Sequence, residues 1–220
     1  MAKKEINLLK NYPKSNRNLN ERVSSKTEHD RKIARRFDKD FFDGDRKHGY
    51  GGFSYNPRFW SKVVKDIYDY YNLSNGSSIL DVGCAKGYML YDFFKLNSDL
   101  NLQGIDISDY AVNNCVDKLK KNLIVGCASR LPYEDNSFDL VISINTIHNL
   151  ELNKCSQALK EIERVSKKYS FLTVDAYRNE EEKNRMYAWN LTAKTIFSVP
   201  EWKFFFKENN YTGDYYWFIP

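Results

Sequence analysis

Two carboxylates at the ends of two apolar runs, with small residues between them, are the groups in this chain best placed for chemistry. Residues 79–87 read Ile-Leu-Asp-Val-Gly-Cys-Ala-Lys-Gly, and residues 104–108 read Gly-Ile-Asp-Ile-Ser. The run from Ile79 to Val82 predicts a strand entering a turn, where Gly83 and Gly87 let the backbone come close to a ligand. Helix-forming residues follow Gly87. Asp106 ends a second apolar run about 20 residues on, the place of a ribose-binding carboxylate. The spacing predicts a nucleoside-binding β-α-β unit.

The charges say which nucleoside. A dinucleotide sets its pyrophosphate on the first glycine turn and the helix start behind it. Its fingerprint is G-x-G-x-x-G, whereas here only Gly83 and Gly87 are present, with Ala85 between them. Asp81 at the strand tip opposes a pyrophosphate and suits the ammonium and sulfonium of S-adenosylmethionine.

A third block, Leu131-Pro-Tyr-Glu-Asp-Asn-Ser-Phe-Asp-Leu-Val-Ile-Ser143, completes an ordered set. With it, residues 60–176 resemble the class I S-adenosylmethionine-dependent methyltransferases. The resemblance implies an α/β fold, a Rossmann-like three-layer sandwich with a mostly parallel central sheet. It implies that Gly83, Cys84, Ala85 and Gly87 hold the methionine end of the cofactor. Asp106 would accept from both ribose hydroxyls, and Ile107 would lie against the adenine. Cys127, Ala128 and Ser129 would touch the adenine as well. The family often has an aspartate where Cys127 stands. A thiol is a poor acceptor, so backbone around Ala128 is expected to read the adenine. The product would be S-adenosylhomocysteine.

The elements that must position these groups alternate. Strands are expected near 77–82, 101–106, 122–126, 138–144 and 169–175, with helices near 86–96, 108–119 and 152–167. Such alternation implies a parallel sheet covered on both faces. Upstream, Thr27 and Asp30 form a capping-box pattern opening a helix over 28–40. A loop with four glycines, Phe42 to Phe53, follows, and Pro57 opens the next helix. Downstream, Leu191, Thr195 and Ile196 point to helix, and Ser198 to Glu201 is a second capping box. One last strand is expected from Tyr215 to Ile219, where the family usually ends in a two-stranded hairpin. Residues 1–25 lack periodicity and are expected to be mobile. The division expected is a 1–56 N-terminal extension with a Gly-rich helical lid and a 57–220 methyltransferase domain.

In 220 residues no apolar run reaches a membrane span, and no secretory leader is visible, so a cytoplasmic location is expected. The four cysteines lack metal-ligand spacing and read as reduced thiols, and no metal is expected. Residues 1–48 hold 14 Lys and Arg against 8 Asp and Glu, while the rest holds 20 against 21. A basic segment on a neutral domain points to an anionic partner.

The acceptor should lie at the carboxyl ends of the strands, beside Asp81, Asp106, Asn145 to His148 and Asp175 to Tyr177. Asn145 is taken as a further cofactor contact. His148 is the first candidate for a general base, with His48 and Tyr50 in the lid as the second. Arg46, Lys47 and Arg58 are candidates for binding a phosphate on the acceptor. Tyr177, Tyr187 and Trp189 are candidate walls for it. The reading is methyl transfer to oxygen of a small polar acceptor: a sugar, a nucleotide sugar, or a phosphate or phosphoramidate oxygen. The lid stretch resembles that of a methyltransferase subgroup associated with bacterial surface-polysaccharide synthesis. Nucleic acid is disfavoured, because Asn145-Thr-Ile-His148 stands where the amino methyltransferases carry Asn/Asp-Pro-Pro-aromatic. An RNA or protein substrate, or cofactor binding without catalysis, are the alternatives. Nothing in the pattern sets the oligomeric state.

Overall fold

The computed structural model describes residues 4–13 and 27–219. Strand β1 (Ser78–Val82) is buried from Ile79 onward, as a strand covered on both faces must be. It pairs with β2 (Asn101–Asp106) on one side and β4 (Phe138–Ile144) on the other, while β3 (Leu123–Val125) extends the β2 edge. β5 (Ser166–Tyr177) continues the β4 side, giving the order β3-β2-β1-β4-β5, with every pair parallel. Chain order reverses between β1 and β4, the point where open parallel sheets bind ligands. Register sets Asp81 opposite Gly104 and Ile142, and Ile144 opposite Thr173. The strand ends therefore open on one common edge.

Helices cover both faces. On one face lie α3 (Pro57–Tyr70) and α4 (Tyr88–Leu96), with Ile67, Leu90 and Phe93 against Ile79 and Phe171. α3 starts where expected: Asn56 caps Arg58 N and Pro57 needs no N–H in the first turn. On the other face, α6 (Leu152–Val165) and α8 (Val199–Glu208) bury Leu159, Ile162, Trp202 and Phe206 against Leu80, Val141 and Leu172. Two apolar clusters flanking one sheet make the expected three layers.

The far edge of β5 departs from a terminal hairpin. β7 (Asp214–Phe218) pairs there in parallel with Phe171–Asp175, and the two-residue β6 (Phe197–Ser198) pairs with Ala176 and Tyr177. Residues 4–6 then close the β7 edge, since Tyr215 N donates to Lys4 O and Ile6 N to Tyr215 O, both at 3.0 Å. Leu8 is buried behind them. Of the N-terminal stretch expected to be mobile, residues 4–13 are thus packed on the sheet; 1–3 and 14–25 lie outside the described residues.

Three helices also differ from expectation. The 28–40 helix is two, α1 (Glu28–Ala34) and α2 (Lys39–Phe42), because Phe37 turns to φ +52° and its carbonyl accepts Ser108 Oγ. The 108–119 helix is α5 (Asp109–Asn113) and a separate turn at Asp117–Leu119, because Val116 N donates to Lys86 O. Residues 190–196 are not helical: Lys194 N and Thr195 N both donate to His148 O, and Ala193 N to Asn190 Oδ1. The helix lies just before, as α7 (Glu180–Trp189). Both capping boxes form as the sequence indicates.

Candidate active site

The loop after β1 is bare by necessity. Gly83 has φ +90°, and a Cβ there would lie 2.0 Å from Thr146 Oγ1. Ala85 also sits at positive φ, held by its N–H to Asp106 Oδ2 at 2.7 Å. Asp106 Oδ1 accepts from Ser108 N at 2.8 Å. The carboxylate keeps acceptor capacity for a ligand beyond these bonds. Burial raises the Asp106 pKa, with the N–H groups of Ser108, Ala85 and Ile107 opposing. Beside it Ile107 is 57% exposed, an apolar face next to that carboxylate. Asp81 lies behind, buried, its pKa raised to about 8 by burial and by Asp106. No donor among the described residues offsets that, so the pair is set for a cation.

Other candidates face inward. Cys84 Sγ packs against Gly104, where a Cβ would sit 2.7 Å away, so Cys84 shapes the loop through packing. Gly87 at φ +75° starts α4. Asn145, at φ +50°, accepts Thr173 Oγ1 on its Oδ1 at 2.8 Å, which turns the side chain toward β5. Cys127 Sγ and Ser129 Oγ pair at 3.1 Å, and Ala128 packs on the core, leaving backbone as the local polar surface for an adenine.

His148 is 3% exposed. Its Nδ1 accepts the N–H of Asp175 at 3.0 Å, and its Nε2 faces Asp175 Oδ2 at 3.6 Å. Burial lowers its pKa, opposed by Asp175. The ring is therefore neutral, with its one lone pair occupied and its proton on Nε2. In this arrangement it has nothing with which to take a proton. Asp175 also accepts Asn190 Nδ2 at 2.8 Å, and its carbonyl accepts Trp202 Nε1 at 2.8 Å. His148, Asp175 and Asn190 thus hold the ends of β4 and β5 to the 190–197 loop.

The glycine-rich stretch folds back on α2. Tyr50 N donates to Phe41 O, and a Cβ on Gly49 would meet that carbonyl at 2.1 Å. Tyr50 packs with Phe41, Phe42 and Phe53, while His48 Nε2 faces Asp30 Oδ1 at 3.1 Å. The stretch docks on the cofactor loop through a residue that sequence reasoning missed. Lys86, buried, donates to Asp43 Oδ2 at 2.6 Å and to Phe53 O at 2.9 Å. Tyr110 OH also reaches Asp43, and Tyr88 OH reaches Phe53 O. Burial alone would raise the Asp43 carboxyl, but Lys86, Tyr110 and the Phe53 N–H hold it below the usual range. Its signal was a lysine inside an otherwise small, apolar motif.

Arg46 donates to Tyr50 O, and Arg58 lies over the Phe59 ring. Tyr177 OH reaches Glu201 at 3.4 Å, Trp189 stacks near Phe218, and Tyr187 is exposed. Tyr187 borders a groove of about 410 Å³ between α1 and the 190–197 loop.

A turn that only glycine permits at Gly83, a buried hydrogen-bonding carboxylate with an exposed apolar side chain beside it, and a second buried carboxylate behind together fit S-adenosylmethionine. The methyltransferase-domain family matches residues 73–214, and the chain belongs to it. S-adenosylmethionine is its cofactor. The chain is 33% identical over 146 residues to the tRNA (carboxymethyluridine(34)-5-O)-methyltransferase of Arabidopsis thaliana, covering 65% of this chain and 33% of that protein. It is 32% identical over 130 residues to the sterol 24-C-methyltransferase erg6 of Schizosaccharomyces pombe, covering 53% and 33%. It therefore spans about a third of each of those curated relatives. Among solved structures it resembles YcgJ of Bacillus subtilis, with TM-score 0.53, 20% identity and 65% of each chain covered. It also resembles an S-adenosylmethionine-dependent methyltransferase of Methanosarcina mazei, with TM-score 0.52, 22% identity and 65% and 82% covered. No helix among the described residues is long and apolar enough to cross a membrane.

Proposed function

We propose that this methyltransferase modifies an oxygen that reaches the site already ionised: a carboxylate, phosphate or phosphoramidate oxygen on a small polar acceptor. The observation that carries this reading is His148. Bound cofactor supplies a methyl group on positively charged sulfur. A base is needed only when the acceptor arrives protonated. His148 has its lone pair committed to the Asp175 N–H, and His48 is engaged by Asp30. A sugar hydroxyl, with a pKa far above neutrality, is poorly served by such a site, whereas an anionic oxygen needs only placement.

Asp106 and Ile107 are assigned to the adenosine, and Gly83 to Ala85 with Asp81 to the methionine end. Within the N-terminal extension that precedes the 57–220 domain, residues 37–53 act as a lid. The ties from Lys86, Tyr88, Ser108 and Tyr110 to residues 37–53 support that role. His148 is a positioning residue. The four free cysteines fit a reducing compartment such as the cytoplasm. A phosphate-type oxygen on a surface sugar belongs to the acceptor class.

RNA is the second reading. The Arabidopsis relative is named for methylating an oxygen on carboxymethyluridine in tRNA, and residues 1–48 here carry the basic surplus. The test is transfer of labelled methyl from S-adenosylmethionine to phenyl phosphate, benzoate, benzyl alcohol and unmodified or carboxymethylated tRNA. Faster labelling of the anions than of benzyl alcohol is expected. Faster labelling of the alcohol would overturn the ionised-oxygen reading, and labelling of tRNA alone would make RNA the substrate.

A further inference from the structure

The groove beside Tyr187 is lined by Arg31 and Arg35, one helical turn apart on α1, by Lys194 and Thr195, and by Glu28. Its charges do not cancel. Glu28 Oε1 takes Arg35 Nη1 at 3.3 Å, and Glu151 takes Lys194 at 3.1 Å. Arg31 is left with two backbone carbonyls, Asn190 O at 3.3 Å and Tyr187 O at 3.4 Å, and no carboxylate among the described residues. Arg35 Nε is buried without an acceptor. A guanidinium in an open groove, held only by long carbonyl contacts among the described residues and one turn from a second guanidinium, is arranged for an oxyanion. The exposed ring of Tyr187 stands on the same wall. Two of its lining residues, Thr195 and Asn190, bond to His148 O and Asp175 Oδ2 at the strand ends.

We propose that this groove binds a phosphate or carboxylate of the acceptor, with Arg31 and Arg35 as its donors and Tyr187 as a platform for the ring carrying it. The proposal rests on the small-acceptor reading and names the residues that would select the acceptor. A neutral acceptor of the same shape binds more weakly, because it forms no charge-assisted bond to Arg31.

Binding is measured without turnover, so that its failure is distinct from failure of the ionised-oxygen reading. Phenyl phosphate, inorganic phosphate, benzoate and phenol are titrated calorimetrically into the protein saturated with S-adenosylhomocysteine. Arg31→Gln, Arg31→Lys and Tyr187→Ala are compared with wild type, and Lys62→Gln, an exposed position outside the groove, serves as a control. Phenyl phosphate or benzoate, whichever binds tighter, should lose about tenfold or more in Arg31→Gln and less in Arg31→Lys. Tyr187→Ala should weaken phenyl phosphate but leave inorganic phosphate unchanged. Lys62→Gln should match wild type, and S-adenosylhomocysteine affinity should be unchanged throughout. Equal anion binding by wild type and Arg31→Gln, or phenol binding as tightly as phenyl phosphate, overturns the proposal. So does the absence of anion binding in wild type that still binds S-adenosylhomocysteine.

Discussion

Two regions of the molecule, which the proposals above make the two halves of the site, bear ionisable groups of opposite type and are built by different means. At the ends of β1 and β2, two buried carboxylates, Asp81 and Asp106, stand by a turn that Gly83 and Gly87 leave open. In the second region, the groove between α1 and the 190–197 loop presents Arg31, Arg35 and Lys194. The first half is fixed by sheet register, since Asp81 and Asp106 lie on adjacent paired strands. The second is fixed by side-chain bonds between distant segments: Arg31 reaches Asn190 across 159 residues. An acidic half suits a cationic cofactor and a basic half an anionic acceptor. On the proposed reading, methyl transfer removes the sulfonium charge and one unit of charge from the acceptor, so the electrostatic hold of each half weakens once the reaction is done. The comparison predicts that substitutions in one half leave ligand binding in the other nearly intact.

The largest break is expected at Asp106→Ala. It removes the anchor of Ala85 N and Ser108 N, and with it the acceptor that the proposed reading assigns to the ribose hydroxyls. Hydrogen bonds to a charged group contribute roughly 1.5–3 kcal/mol each. S-adenosylhomocysteine affinity should fall by about a hundredfold or more in calorimetry, with phenyl phosphate binding little changed. Normal cofactor binding by this variant would mean the adenosine lies elsewhere.

Asp81→Asn should act in opposite directions on binding and on stability. The Asp81 carboxyl is raised to about 8 in the folded chain, against an ordinary value near 3.8. Between those values the folded state holds a proton that the unfolded state has released. Wild-type stability therefore falls as pH rises through that window, by up to about 1.4 kcal/mol per pH unit. The asparagine variant lacks this loss, so its thermal midpoint should exceed that of wild type increasingly from pH 5 to pH 8. Cofactor affinity should drop about tenfold at pH 8. The wild-type rise in affinity through pH 8, as the carboxylate ionises to meet the cation, should flatten. Parallel melting curves for the two proteins across that range would remove Asp81 as the titrating group.

The same contrast explains what was legible in the sequence. Ile79 to Gly87 and Asp106 declare themselves because a strand, a turn and a second strand tip are local patterns. Thr27 with Asp30 and Ser198 with Glu201 are legible for the same reason: each box closes within four residues. The break at Phe37 was not, because a non-glycine residue takes positive φ there only with Ser108 gripping its carbonyl. Residues 190–196 carry helix-like apolar spacing, but His148 O and Asn190 Oδ1 claim three of their amides. The parallel course of β7 depends on α8 spanning the sheet, which strand composition does not encode. His148 was legible by position and misleading by residue type, since the lone pair that a base requires is spent on a backbone N–H of β5.

His148→Asn tests that point with an intermediate effect. Asparagine keeps an acceptor for Asp175 N, so the β4 and β5 ends stay joined. A general base contributes typically 10²–10⁴-fold. If His148 only positions the loop, kcat should fall by less than about tenfold, the shape of its pH profile should be unchanged, and phenyl phosphate binding should weaken as the 190–197 loop loosens. A hundredfold loss in kcat with both ligands still bound would restore the base and return neutral hydroxyls to the acceptor class.

The smallest effect is expected at Lys86→Met, and it bears on how the halves communicate. Lys86 follows Ala85, which touches Asp106, and it ties that loop to Asp43 and Phe53 of the segment above it. Methionine retains the packing but leaves Asp43 facing only Tyr110 and the Phe53 N–H. Burial then dominates the Asp43 carboxyl and the segment loses its main tie. Its opening should leave kcat nearly unchanged when chemistry limits turnover, speed S-adenosylhomocysteine release several-fold, and expose the 43–53 stretch to limited proteolysis. Saturating S-adenosylhomocysteine should protect that stretch in wild type more than in the variant. Equal protection in both would show that the segment stays closed without Lys86, held by the Phe42, Tyr50 and Phe53 rings.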